Sequence, residues 1–352
     1  MPGSIARSLL LLFLIGCPSA QAAEIRTLYQ AEVTATGNDE TARDQDIRRA
    51  LQLVLGRVIS PAALASRASG AILEKAVNYV LSYEYASKPA AENASVKTEV
   101  MRVNFDQMRL TEALRQKGVN VWAEQRPTIL VWLGVGDDQR QEWFMPEMMP
   151  EIDRELRQAA EQEGLPIALP LLDLTDQQSL SVEDLGSGAD ERIRAASARY
   201  EAAGVLAGRL SRSTENGWDV LWRFYRPDAA PANWQGRFNS LAEAMQAGFA
   251  GAYGKLAEHY IPKTLSETRV ELRVTGITSL ADVSTVASYL SSLSLIRTVE
   301  WLRIEPTQAV FRLFVRGDRT ALEQAFALGK TLRPVEGETQ GFTGMNYQLS
   351  AQ

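Results

Sequence analysis

The chain has 352 residues and a mass of 38.8 kDa, more than one compact domain ordinarily holds and enough for two or three. Apolar residues at 45% and charged residues at 23% give the composition of a folded protein, and with a net charge of −6 no strong electrostatic pull toward nucleic acid is expected. One histidine and one cysteine exclude a zinc site built on His/Cys clusters and a disulfide within the chain, leaving His259 as the sole imidazole for a serine-type triad.

Residues 1–23 read as a signal peptide. Arg7 is followed by the apolar run Leu9 to Gly16, far short of the ~20 residues of a spanning helix, then by Pro18 and the small-residue motif Ala20-Gln21-Ala22. Cleavage near Ala22 releases a soluble, thiol-free periplasmic chain. A second reading stays open, because Leu14-Ile15-Gly16-Cys17 resembles a lipobox and acylation of Cys17 makes an outer-membrane lipoprotein. Past Ala23 no apolar run is long enough to form a transmembrane helix.

A small α+β domain is expected over 24–123. It opens with an extended segment, 25–36, and a helix that starts at Asn38-Asp39-Glu40-Thr41 and carries Ile47, Leu51, Val54 and Val58 at helical spacing. A helix at 71–80, strands Leu81–Tyr85 and Ser95–Phe105, and a helix from Asp106 to Lys117 capped by Gly118 complete it. A three-layer α/β domain is expected over 127–262. Thr128–Leu133 is a continuous apolar run of the central-strand type, followed by helices near 147–163 and 190–200. The strand Gly204–Leu210, a hairpin from Gly217–Tyr225 to Asn233–Phe238 and the helix Ser240–Tyr260 close this unit. Residues 268–335 give the order β-α-β-β-α-β of a ferredoxin-like domain, and 336–352 reads as a polar C-terminal tail.

The fold class is therefore mixed α/β and α+β in several domains. Its candidate chemistry is sparse. Gly134-Val135-Gly136 follows a strand, but position 139 is Gln and Asp137-Asp138 would repel a pyrophosphate, so no dinucleotide cofactor is expected. Asp137 and Asp138 do lie at the carboxyl end of a central strand, where open sheets place ligands. Trp218, Val220, Trp222 and Phe224 share one face of a strand, with Trp234 and Phe238 opposite. They form either a core face or a stacking platform for a glycan or a partner protein. His259, near a helix end, suits the helix dipole rather than catalysis. Arg297, Glu300, Arg303, Arg312 and Arg316 alternate along two strands as a solvated or partner-docking face. No metal site and no cofactor site is assigned.

Five segments carry a resemblance: Leu28–Val33 (LYQAEV), Ala50–Val58 (ALQLVLGRV), Val103–Asp106 (VNFD), Leu114–Trp122 (LRQKGVNVW) and Arg126–Leu133 (RPTILVWL). Together they resemble an uncharacterised family of exported gram-negative bacterial proteins catalogued as domain of unknown function (DUF) 2066, which supplies no catalytic residues to carry over. The first two units are also similar to modules of small envelope lipoproteins and of flagellar or secretion accessory proteins, which implies an accessory role. The expected function is that of a periplasmic, non-enzymatic accessory or scaffold protein whose partner is an envelope protein or a peptidoglycan-like glycan. Two alternatives stand beside it: a carboxylate-dependent envelope hydrolase with Asp137 or Asp138, and a small-ligand sensor using the ferredoxin-like unit.

Overall fold

The structure is a computed structural model and describes residues 28–37, 39–89, 97–122, 125–137, 140–213, 217–262, 267–293, 295–329, 331–335 and 342–350. Among these, eleven α-helices and three sheets build a multidomain chain of mixed α and β structure. The leader with Arg7, Cys17 and Ala22, and also Asp138, lie outside the described residues.

The first unit runs β1 (Gln30–Thr34), α1 (Glu40–Val58), α2 (Pro61–Leu64), α3 (Arg67–Leu73), β2 (Val80–Pro89), β3 (Lys97–Phe105) and α4 (Gln107–Gln116). The Asp39 carboxylate accepts the Ala42 N–H to start α1, and the stripe Ile47, Leu51, Val54, Val58 is buried against an antiparallel sheet of order β1-β3-β2. Asp46, wholly buried on α1, accepts hydrogen bonds from the Thr36 amide (2.9 Å) and hydroxyl (2.7 Å) and pairs with Arg49, tying β1's exit to the helix. A single helix over 71–80 is not what forms. The Ser66 hydroxyl accepts the Ser69 N–H and starts α3 earlier, and a 3-10 turn at Ala76–Tyr79 then delivers the chain into β2. Asp106 caps α4, and Gly118 at φ +79 ends it.

The second unit comprises β4 (Ile129–Gly136), β5 (Gln141–Trp143), α5 (Pro150–Gln162), β6 (Ile167–Ala168), α6 (Leu174–Ser179), α7 (Asp184–Ser187), α8 (Asp190–Ser197), β7 (Gly204–Arg212), β8 (Trp218–Tyr225), β9 (Ala232–Phe238) and α9 (Leu241–Tyr260). Strand order is β5-β4-β7-β8-β9, with β6 pairing parallel to the start of β4. β4 and β7 are parallel and buried on both faces, which accounts for the unbroken apolar run Ile129 to Leu133. Leu156 of α5 and Phe249 and Leu256 of α9 cover one face with Trp222 and Phe224. Leu185 of α7 and Ile193 of α8 cover the other with Trp132 and Tyr225. The unit is a three-layer α/β sandwich.

The third unit comprises β10 (Glu267–Thr275), α10 (Leu280–Ser292), β11 (Ile296–Glu305), β12 (Gln308–Arg316), α11 (Arg319–Leu328), β13 (Leu332–Pro334) and β14 (Met345–Leu349). A reciprocal capping box between Ser279 and Asp282 opens α10, and Asp318 caps α11. The order β-α-β-β-α-β is followed by a strand that the reading of 336–352 as a polar tail misses. β14 lies parallel to β10 and antiparallel to β13, so the sheet order is β11-β12-β10-β14-β13. Met345 and Tyr347 are buried in it, and Tyr347 meets Phe326 edge-on at 4.9 Å. Two apolar residues suffice because a five-residue strand buries only its alternate positions on one face.

Candidate functional site

Between the first unit and the second, Val119, Trp122 and Arg126 of the connection are packed as core rather than as a solvated linker. Trp122 is 2% exposed and Arg126 is fully buried. The Trp122 amide donates to the Val58 carbonyl at 2.7 Å, and its indole stacks on Tyr260 with centroids 5.6 Å apart. The Arg126 guanidinium lies 4.0 Å from the Trp122 ring centroid, and its Nη2 donates to the Arg57 carbonyl at 2.7 Å. Arg57 in turn donates to the carbonyls of Gln30 (2.7 Å) and Gln162 (2.9 Å), while the Tyr253 hydroxyl donates to Ile59 (2.7 Å). Burial lowers the Arg126 guanidinium to about 10, still well above neutrality, so the cation persists inside this contact. The two units are thereby clamped at α1, α5 and α9.

Against that clamp lies a cleft of about 750 Å3 where the three units meet. Its floor is apolar: Val121 and Trp122 from the connection between the first two units, with Leu293 and Leu295 from just past the end of α10. One wall is the outer face of α4, presenting Met108, Thr111, Glu112 and Arg115. The opposite wall is α11, presenting Ala321, Gln324, Ala325 and Leu328. Leu110 and Leu114 of α4, and Leu322 and Phe326 of α11, are fully buried on the opposite faces of the same helices. Asn120 donates through its side-chain amide to the Pro262 carbonyl, fixing one end of the floor.

The rim is charged, with each ion pair made within one unit. Arg115 donates to both Glu112 oxygens (2.8 and 2.6 Å), and Arg297 donates to Glu267 at 2.7 Å. The bonds from Arg115 and then Gln116 pull the Glu112 carboxyl down to about 2, with Arg316 of the third unit assisting from across the cleft. Glu112 first, and then Glu267 of the third unit, raise the Arg115 guanidinium. The Gln125 Oε1 is buried beside this site, with no hydrogen-bond partner among the described residues.

The tryptophans proposed as a platform do not form an open one. Trp222 is 0% exposed, its indole N–H donating to the Ala244 carbonyl at 3.2 Å. Trp234 is half-buried and donates to Ala247 at 3.0 Å, while Trp218 is half-buried beneath the Arg212 guanidinium. The period-two stripe is the floor for α9, because Gly248 and Gly251 let that helix approach the two indoles closely. Asp137 is exposed at the end of β4 and closes a turn: it accepts the Arg140 N–H at 2.8 Å, and its own amide donates to the Arg140 carbonyl at 3.0 Å. His259 faces Asp228 (3.6 Å) and the edge of Tyr260. Of the charged residues on the third sheet, Arg297 and Arg316 belong to the cleft, and Arg312 pairs with Glu271 and Glu300.

Sequence reasoning missed a carboxylate cluster in the second unit. Asp176, 2% exposed, accepts from the Tyr200 hydroxyl (2.5 Å), the Leu172 amide (2.9 Å) and Arg199 (3.1 Å). Asp173 is paired with Arg199 and held at about 2 by it. These carboxylates are occupied in holding the 169–173 loop and the start of α6, where Leu172 sits at φ +52. Among the described residues no group of three or more His, Cys, Asp or Glu is arranged to hold a metal ion, and no helix is long and apolar enough to cross a membrane.

Among curated proteins none matches the chain. Residues 22–123 match the model of a domain of unknown function, DUF8605, and the matched span contains β1 through α4. The expected membership of DUF 2066 is thereby corrected: the first unit matches a different domain of unknown function.

Proposed function

We propose that the chain is a non-enzymatic accessory protein of the bacterial cell envelope that acts by binding a partner protein in the cleft between α4 and α11. The observation that carries this reading is the cleft itself: an apolar floor of Val121, Trp122, Leu293 and Leu295, walled by α4 and α11 and rimmed by amides and paired charges. Clefts at domain junctions with apolar floors and few fixed polar groups are the usual places for ligands. The leader with its Ala20-Gln21-Ala22 motif supports export, with acylation at Cys17 as the anchored alternative. A protein fits better than a glycan, since Trp122 and Tyr260, two of the three aromatic residues that line the cleft beside Tyr29, stack on each other, and Arg126 lies over the Trp122 ring.

The test is a photo-crosslinking amino acid placed at position 108, where the native methionine is 83% exposed, compared with one at Lys255 on the far helix α9. A discrete adduct in the living envelope from position 108, lost in Thr111→Trp, is expected. Identical adducts from both positions would refute it. A small-molecule ligand is a second reading, favoured by a cavity volume within the usual ~300–1,000 Å3 range of such sites. In that case thermal-shift screening with metabolites gives stabilisation of ~2.7 kcal/mol at a hundredfold excess over Kd, and the crosslink is absent.

A further inference from the structure

We infer that the second unit holds a carboxylate-binding site of its own, on the α7 side of its sheet and sharing no residue with the cleft. The ladder β7-β8-β9 sets Arg209, Leu221 and Gln235 directly opposite one another. Ser211, Asp219 and Arg237 form the next rung on the same face. These six residues line an open hollow of about 690 Å3.

Donors outnumber acceptors there. The Asp219 carboxylate is already held by Arg237 through bonds of 2.8 and 3.1 Å. Among the described residues Arg209 has neither a hydrogen bond nor an ion pair, and its Nε is buried without an acceptor. Ser211, 5% exposed, accepts from the Gln141 side-chain amide at 3.1 Å, and its own hydroxyl proton has no acceptor among the described residues. A guanidinium and a hydroxyl two residues apart on β7, about 7 Å between their Cα atoms, thus line one space with nothing to donate to. What they lack is an anion.

The charges select its class. Arg209 and Arg237 against Asp219 leave one net positive charge, which suits a singly charged group, whereas a phosphate dianion would meet the Asp219 carboxylate in the same hollow. The planar guanidinium fork matches the two oxygens of a carboxylate, and Leu221, half-buried on the middle strand, seats the alkyl carbon behind it. The fork is also held in place. A Cβ at Gly186 of α7 would stand 2.9 Å from Arg209 Nη1 and 3.2 Å from its Cδ, so the helix rests against the side chain and limits its swing.

The experiment uses the full chain with labelled arginine, and follows the Nε–H resonance of Arg209 by NMR, assigned by its loss in Arg209→Lys. A carboxylate reaches such a site as a free organic acid or as the C-terminus of a peptide, so the probes are propionate and trialanine, with propionamide and inorganic phosphate as controls. A saturable shift with propionate, trialanine or both is expected, and which of them gives it names the source. Propionamide should give none, and phosphate should bind roughly tenfold more weakly than the better acid. Gly186→Ala, which asks only the flexible end of Arg209 to move, should keep the native thermal transition and weaken the acid roughly tenfold. Saturation transfer to the propionate and trialanine methyl groups reads binding to the native chain without any variant. Transfer to neither acid, a shift by propionamide equal to theirs, phosphate binding as tight as the better acid, or unchanged affinity in Gly186→Ala would each overturn the inference.

Discussion

Trp222 and Trp234 fix how close α9 comes to the sheet, and two glycines make that distance possible. A Cβ on Gly248 would stand 2.5 Å from the Trp222 indole, and one on Gly251 would stand 2.4 Å from that of Trp234. Neither ring can retreat, since each indole N–H is bonded to an α9 carbonyl. Gly248→Ala is therefore expected to destabilise the protein by about 1–3 kcal/mol despite alanine's better helix propensity, as read by urea denaturation. Gly56, inside α1 with nothing within 4 Å of a Cβ, is the internal control: Gly56→Ala should stabilise by about 0.5–1 kcal/mol. The period-two tryptophans were legible in the sequence, as was the choice between core and platform. What decided it was the glycine pair one helix away, and glycines in a helical pattern say nothing about a neighbour until the packing is known. The isolated capping residues (Asp39, Asp106, Ser240, Asp318) were readable because their effect is local.

At the scale of elements, the contact of α1 with α5 and α9 carries a proton-sensitive group. Burial pushes the Glu163 carboxyl up to about 7, although Arg57 and a hydrogen bond donated by Gln246 both favour its charge. An acid whose folded pKa lies above its ordinary value of 4.5 binds its proton more tightly in the folded chain. Its contribution to stability is complete below that ordinary value and is lost as pH rises through about 7. Glu163→Gln should remove this slope between pH 5 and 8 and leave the protein more stable at pH 8, by an amount on the order of 2 kcal/mol. A slope of stability against pH unchanged in the variant would contradict the assignment. Trp122→Ala is expected to cost about 3–5 kcal/mol and to split one calorimetric transition into two, because the stack with Tyr260, Tyr253 and Arg126 links α1 to α9. Most helices and strands were legible from periodicity and caps. The connection was not, because Val119, Trp122 and Arg126 are buried against different neighbours and belong to no helix or strand. The cleft was invisible because it is assembled from residues as far apart in the chain as Tyr29 and Leu328.

Over the whole molecule, two modes of assembly coexist: units one and two share a buried clamp, while the third meets them across a cleft whose rim ion pairs are each made within one unit. Damage to the third sheet should then stay local. Tyr347→Ala, removing a ring 8% exposed and packed on Phe326, is expected to cost about 3 kcal/mol and to raise hydrogen exchange over 267–350 while 28–262 keeps its protection. Exchange rising uniformly along the chain would show a single cooperative unit instead.

The place of β14 has a kinetic corollary. Of the third sheet's strands it is the latest in chain order, yet it lies between two that precede it, β10 and β13. Until residues 345–349 arrive, β13 is free to dock directly on the vacant edge of β10, and that premature zip must be undone before the right neighbour can enter. Refolding should accordingly show a slow phase that reports strand exchange, while a chain crossing a membrane from its front end would hold this sheet ajar to the last.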